Sequence, residues 1–216
     1  MPENHLVHNV REATIDDIDG AVEALSDAFE NDPVMSLAMG GAHQLEKVKK
    51  LFRFQIEKTY LPSGIVDIAL TREGKIVGAA LWNSPEGQKG SLLQDMRELP
   101  AYAKILGPSF LMGIYTELKL LSARPKFPHW YLYTIGVQED ARSQGVGSAL
   151  LDFRRAKLGY YPAYLEASTF RSAALYRRHG FIELGNFKNG KPAIGMWHPA
   201  PESSIDRGLE KSATKR

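Results

Sequence analysis

The sequence predicts a single mixed α/β domain, and three observations carry that reading. Helix-period segments alternate with short β-rich runs along 216 residues, a length that one hydrophobic core can serve. The stretch Tyr131–Leu150, YLYTIGVQEDARSQGVGSAL, passes from an apolar strand through a polar turn into a helix announced by two glycines. Further on, Ala163–Phe181, AYLEASTFRSAALYRRHGF, reads as a strand, a turn, a short helix and the start of another strand.

Taken in order, Leu6–Arg11 reads as a first strand, followed by Thr14, which can cap a helix with Asp17 three residues on. Ile15, Ile18, Val22, Leu25, Ala28 and Phe29 then share one helical face, and the helix ends at Asn31-Asp32-Pro33. His43 to about Tyr60 forms a second helix with Leu45, Val48, Phe52 and Ile56 as its apolar stripe. Ile65–Leu70 and Lys75–Trp82 are strand-like and flank Thr71-Arg72-Glu73-Gly74, a hairpin signal. Between Ser84 and Phe127 come helix-period runs at Leu92–Met96, Tyr102–Leu106 and Leu111–Leu121. Pro100 and Gly107-Pro108 should break or kink that region into two or three helices. The expected organisation is one domain over 1–198, with 84–127 as a helical insertion and 199–216 as a solvated tail.

The glycine-marked helix start carries chemistry. The first amides of a helix lack intrahelical acceptors and sit at the positive end of its dipole, so they attract an anion. Gly145 and Gly147 let the backbone approach phosphate oxygens, and Arg142 adds a cation at the rim. A Walker loop is excluded because Ser148-Ala149, and no Lys, follows Gly147; no G-x-G-x-x-G is present for a dinucleotide site.

What remains, V-x-x-x-x-R-x-x-G-x-G on Val137, Arg142, Gly145 and Gly147, resembles the acyl-CoA pyrophosphate motif of the GNAT superfamily of N-acetyltransferases. Ser143 stands where that family usually has Gly. The downstream segment resembles the second half of the same pattern, with Ser172, Tyr176, Gly180 and Phe181 at the matching positions and Thr169 in place of a frequent Asn. EGKIVGAALW resembles the family's central hairpin, and several segments look loosely like puromycin N-acetyltransferases. The resemblance covers about residues 6–198. It implies a mixed sheet of about six or seven strands with helices on both faces, its central parallel strands Trp130–Val137 and Ala163–Ser168 splayed at their C-terminal ends. The helix Gly145–Leu158 would join those strands as a right-handed crossover.

The resemblance also implies acetyl-CoA as co-substrate and a small primary amine as acceptor, joined in a ternary complex. Its cofactor contacts carry over to Ile135, Gly136, Val137, Arg142, Ser143, Gln144, Gly145, Val146, Gly147 and Ser148, with Ser172, Tyr176 and Arg178. By position, the backbone N–H of Ile135 would face the thioester oxygen. Tyr176 is the expected proton donor to the departing thiolate, since a phenol and a thiol have comparable basicity. Glu166 shares a strand face with Tyr164 and Ser168 and is the candidate base; it could equally be a solvated or salt-bridged strand carboxylate. His129, at a strand start, and Tyr133 are alternatives, the first read as a surface residue and the second as core. Phe29, Asp32, Tyr60 and Tyr133 are candidate substrate-lining residues, with Tyr115 or Glu117 from the inserted region. Asp32 before a proline reads first as a turn residue. The other functional class left open is an acyl-CoA-binding sensor that keeps the nucleotide site without turnover.

Composition narrows the classes further. A net charge of +2 gives no argument for nucleic acid. The local basic excess, Arg142, Arg154, Arg155, Lys157, Arg171, Arg177 and Arg178, gathers in the two motif helices, where some would meet phosphates and the rest form a solvated face. Zero Cys removes disulfides, a thiolate nucleophile and the usual sulfur ligands of zinc, so no metal is expected. No apolar run reaches a membrane span and MPENHLVHNVREA holds no hydrophobic signal segment, so the expectation is a cytoplasmic protein, as monomer or homodimer.

Overall fold

Seven β-rich runs join one sheet in a computed structural model, which describes residues 9–86, 91–186 and 193–200. They are β1 Asn9–Glu12, β2 Ile65–Leu70, β3 Ile76–Asn83, β4 Trp130–Val137, β5 Ala163–Ala167, β6 Ile182–Asn186 and β7 Ile194–His198. Their spatial order is β1-β2-β3-β4-β5-β7-β6, and β4–β5 is the parallel pair among antiparallel neighbours. β2 and β3 are buried almost throughout, as expected of strands covered on both faces.

The helices are α1 Ile18–Phe29, α2 Pro33–Met39, α3 Leu45–Gln55, α4 Leu61–Ser63, α5 Ser91–Leu106, α6 Phe110–Ala123, α7 Val146–Arg155 and α8 Phe170–Arg178. One face of the sheet packs Trp82, Trp130, Leu132, Leu150 and Leu151 together under α7; the other packs Leu25, Phe52, Ile56, Ile68 and Leu81 under α1 and α3. The buried Arg154 guanidinium of α7 hydrogen-bonds the fully buried Asp67 carboxylate of β2, and Glu12 bridges it to Lys157. That network fastens α7 to the sheet.

Several boundaries depart from the sequence reading for identifiable reasons. Of the expected first strand, residues 6–8 lie outside the described residues; the strand seen runs to Glu12. Asp17 accepts from the Thr14 N–H at 2.7 Å and from Arg11, which holds its carboxyl well below the usual carboxylate range. The first helix ends at Phe29, just before Asn31-Asp32-Pro33 as expected, but a further helix follows at once: Asp32 accepts from the Val34 and Met35 amides, both at 2.9 Å, and starts α2 with proline as its first residue. α3 ends at Gln55, and the path continues through a wider π-helical turn, Ile56–Tyr60, into α4. Pro100 does not break α5, whose second half is held in line because Leu106 is buried and Tyr102 stacks edge-on against Phe54 at 5.1 Å. The break falls at Gly107–Ser109. α7 starts one residue later than expected and ends at Arg155, three residues early. Most of the expected tail, 201–216, lies outside the described residues.

Candidate active site

A splay in the sheet opens the site. β4 and β5 pair at Trp130–Ala163, Tyr131–Tyr164 and Leu132–Leu165, and no further. At that point β4 also carries an extra residue: Leu81 opposes Thr134 while Trp82 opposes Leu132, which leaves Tyr133 as a bulge. Beyond the bulge, the Gln138 N–H donates to the Val77 carbonyl on β3 at 2.9 Å. Antiparallel alternation then turns Gly136 toward β3 and aims the amides of Ile135 and Val137 the other way, into the gap left by β5. The Val137 carbonyl already accepts there from Arg142 Nε at 3.3 Å. Gly136 itself is explained by packing, because a Cβ would lie 2.8 Å from that of Ala28 on α1.

The loop after β4 turns at Glu139–Ala141 and reaches α7 through two left-handed residues, Ser143 (φ 64°) and Gly145 (φ 86°). Ser143 therefore adopts a conformation that glycine favours. Ala149 is the first residue of α7 whose N–H finds an acceptor within the helix, the Gly145 carbonyl, so the amides of Val146, Gly147 and Ser148 lie at the unpaired start. A Cβ on Gly145 would meet nothing within 4 Å, whereas one on Gly147 would lie 3.2 Å from Leu175 of α8. Gly147 thus lets α7 and α8 approach. Thr169 caps α8 by accepting from the Ser172 N–H at 3.1 Å, which ties the Ser172 side chain to the cap as well.

A cleft of about 1560 Å³ runs from this loop through the gap to α2 and α6. Every expected cofactor residue lines it except Gln144, whose side-chain amide donates to the Asp140 carbonyl at 2.7 Å. The basic cluster divides: Arg142, Arg171 and Arg178 line the cleft, while Arg154, Arg155, Lys157 and Arg177 pair with Asp67, Asp152, Glu12 and Glu183. Tyr176 is buried, tilts against Phe181 and lines the cleft, and burial raises its phenol above the ordinary value, so it stays protonated through neutral pH.

At the far end stands Glu166. Its side chain is buried, and its Oε2 accepts from the Tyr131 hydroxyl at 2.7 Å. Its Oε1 pairs with the Arg124 Nε at 3.5 Å, and the Tyr164 hydroxyl also reaches the carboxyl. Arg124 lies over the Tyr131 ring, 3.9 Å from its centroid, donates to the Tyr131 hydroxyl at 2.7 Å and reaches Glu117 at 2.8 Å. Loss of solvation outweighs the nearby guanidinium, and the Glu166 pKa is pushed up to about 7. Of the two alternatives that strand position allows, a solvated and a salt-bridged carboxylate, Glu166 is the salt-bridged one.

The expected acceptor-side residues are partly brought together. Phe29, Asp32, Tyr60, Tyr133 and Glu117 all line the cleft; Tyr115 is exposed and lies under Lys119 instead. Asp32 divides its oxygens, Oδ1 capping α2 and Oδ2 accepting from Ser168 at 2.5 Å. Tyr133 stacks obliquely on Tyr60 at 5.5 Å and accepts from Gln55 Nε2 at 2.6 Å. His129 is buried rather than at the surface, with Nδ1 2.7 Å from the Phe127 carbonyl, and burial lowers its pKa. Sequence reasoning missed Tyr131, Arg124 and Gln55. Period-two alternation with Tyr133 could have found Tyr131; no spacing links Arg124 or Gln55 to the strands they serve.

A family model described as an acetyltransferase (GNAT) domain matches residues 113–183. A solved structure from Corynebacterium glutamicum, described as histone acetyltransferase HPA2 and related acetyltransferase, is 37% identical, covering 90% of this chain and 97% of its own, with a TM-score of 0.68. The arylalkylamine N-acetyltransferase 2 of Aedes aegypti shares the fold at 15% identity, covering 88% and 97% of the two chains with a TM-score of 0.60. An agmatine N-acetyltransferase does so at 15% identity over 88% and 97%, with a TM-score of 0.52.

Proposed function

The chain belongs to the GNAT acetyltransferases, a family that uses acetyl-CoA, and we propose that it transfers the acetyl group to a primary amine of a small molecule by direct attack in a ternary complex. The observation that carries this reading is Glu166, a cleft-lining carboxyl with a pKa of about 7 that shares one cleft with the unpaired amides at the start of α7. A carboxyl with a pKa of about 7 is matched to taking a proton from an amine at neutral pH.

Each step falls to a named group. The diphosphate of acetyl-CoA seats on the amides of Val146, Gly147 and Ser148, with Arg142, Arg171 and Arg178 supplying charge. The pantetheine arm fills the gap between β4 and β5. Holding thioester and amine at attack distance contributes on the order of 7 to 11 kcal/mol. Glu166 takes a proton from the amine, and the nitrogen lone pair forms the bond to the carbonyl carbon. The developing oxyanion receives the Ile135 N–H, an interaction of roughly 3 to 4 kcal/mol where single donors have been removed. Collapse breaks the C–S bond, the Tyr176 hydroxyl protonates the departing thiolate, and the second proton shed by the acylated nitrogen restores the phenol. Tyr131 at Oε2 and Arg124 at Oε1 hold the Glu166 carboxyl in place. Tyr60, Tyr133 and Phe29 form an aromatic wall suited to the carbon frame of the acceptor.

The test is CoA release from acetyl-CoA across a panel of primary amines, read together with calorimetric binding of CoA. Turnover with at least one amine and its loss in Glu166→Gln support the assignment. CoA binding without turnover on any amine overturns it, and absence of binding at millimolar CoA removes the cofactor site.

A further inference from the structure

Three polar side chains form a line beside the diphosphate end of the cleft. Ser148 and Asp152 are four residues apart on α7 and share a face. His179, at the C-terminal cap of α8, lies between them, with Nδ1 2.9 Å from Asp152 Oδ1 and Nε2 3.0 Å from Ser148 Oγ. The imidazole is buried, whereas Ser148 lines the cleft.

The chemistry of the groups sets the proton positions. A carboxylate only accepts, so the hydrogen of that contact sits on Nδ1. With a neutral imidazole, Nε2 is an acceptor, and the Ser148 hydroxyl commits its hydrogen to it. The serine then offers only lone pairs to an anion. With an imidazolium, Nε2–H donates to Oγ, and the hydroxyl hydrogen is released to donate elsewhere.

We infer that Asp152, His179 and Ser148 form a proton-coupled positioning device for a nucleotide diphosphate: ligand binding places a proton on His179, which turns Ser148 into a donor to a phosphate oxygen. The inference rests on the proposed seating of the diphosphate at the start of α7. His179 acts through Ser148 and is a positioning residue. A merely structural link between α7 and α8 needs Asp152 and His179 alone; the third member extends the chain to the cleft.

The charged surroundings are mixed. α7 supplies Asp152 and also Arg155, which pairs with Asp152 at 3.0 Å. α8 supplies Arg177, paired with Glu183 of β6, and Arg178 at the cleft. β7 brings His198 close to Gly180, and burial holds that ring toward its neutral form. An arriving diphosphate adds negative charge on the Ser148 side of the ring and favours the imidazolium.

The test is calorimetric titration of the full chain with dephospho-CoA, which keeps the diphosphate but lacks the 3′-phosphate whose own proton titrates near pH 6. Buffers of different ionisation enthalpy report proton uptake at pH 6, 7 and 8, the range in which imidazoles change charge. The expected result is uptake of a fraction of a proton and a Kd that tightens by up to about tenfold per pH unit as pH falls, the limit for one coupled proton. Ser148→Ala, checked as folded by its melting transition, binds more weakly and with no uptake. His179→Gln, which can donate to Oγ without titrating, binds with a flat pH profile. Binding by the parent without uptake, or uptake unchanged in Ser148→Ala, overturns the device. Failure of both CoA and dephospho-CoA to bind overturns the seating of the diphosphate and the device with it.

Discussion

The two ends of the cleft are built differently. The cofactor end is local: β4, its loop, α7 and α8 follow one another in sequence and offer backbone amides, glycines and a few arginines. The acceptor end is assembled from afar, with Gln55 meeting Tyr133, Asn83 meeting Tyr60, and Arg124 meeting Glu166. In the proposed reaction, backbone geometry meets what every acyl-CoA shares, and side chains gathered from distant segments meet what differs from one acceptor to another.

The strongest test of this contrast is at the acceptor end. Glu166→Gln should lower kcat/KM by roughly a hundred- to ten-thousandfold just above pH 7, the range for a general base. There the carboxylate has formed while the amine is still an ammonium ion. The parental kcat/KM should rise with pH through about 7, as the Glu166 carboxyl loses its proton. The defect should shrink above the amine's own pKa; a defect constant with pH would make Glu166 a positioning group.

Tyr176→Phe should reduce kcat by roughly ten- to a thousandfold and leave CoA affinity nearly unchanged, as measured by steady-state kinetics beside calorimetry. A parental rate would remove the phenol from the mechanism. At the cofactor end, Gly145→Val should weaken CoA binding by about tenfold or more. The left-handed backbone there disfavours a β-branched residue, and the new side chain would stand at the mouth of the loop. CoA affinity equal to the parent's would show that the phosphate seat lies elsewhere.

The smaller effects concern stability. Because burial raises the Glu166 pKa, the folded state holds its proton to higher pH than the unfolded chain does. Its contribution is full near pH 4 and is lost as pH rises through about 7. Glu166→Gln should therefore raise the melting temperature relative to the parent more at pH 8 than at pH 5, in a thermal melt. The smallest change is expected from Ser143→Gly, which relieves a left-handed serine of about 1 kcal/mol but loosens the unfolded chain by a similar amount. Melting within a degree or two of the parent is the expected outcome.

The same asymmetry explains what could be read from the sequence. The loop before α7, the hairpin and α8 were legible because their determinants are contiguous: glycines at left-handed positions, turn residues, and Thr169 as a cap. α2 was missed although Asp32-Pro33 is a helix-start signal, because the same dipeptide also ends helices. Pro100 misled because tertiary packing of Tyr102 and Leu106 outweighs one lost hydrogen bond. Glu166 was legible as a candidate, but its burial was not. That depends on Tyr131 and Arg124, whose meeting is decided by how α6 returns to β4.

The splay has one more consequence. From Tyr133 onward, the side of β4 that faces β5 is a sheet edge placed inside the protein rather than on its rim. An exposed edge of this kind invites another chain to add a strand. Here β5, already paired below the gap, stands across the opening and keeps that edge within the cleft. A slender molecule carrying its own amides can complete the ladder instead. Such a ladder reads only N–H and C=O groups. It gives grip without regard to the acyl cargo, whose size must be judged by the side chains around the cleft.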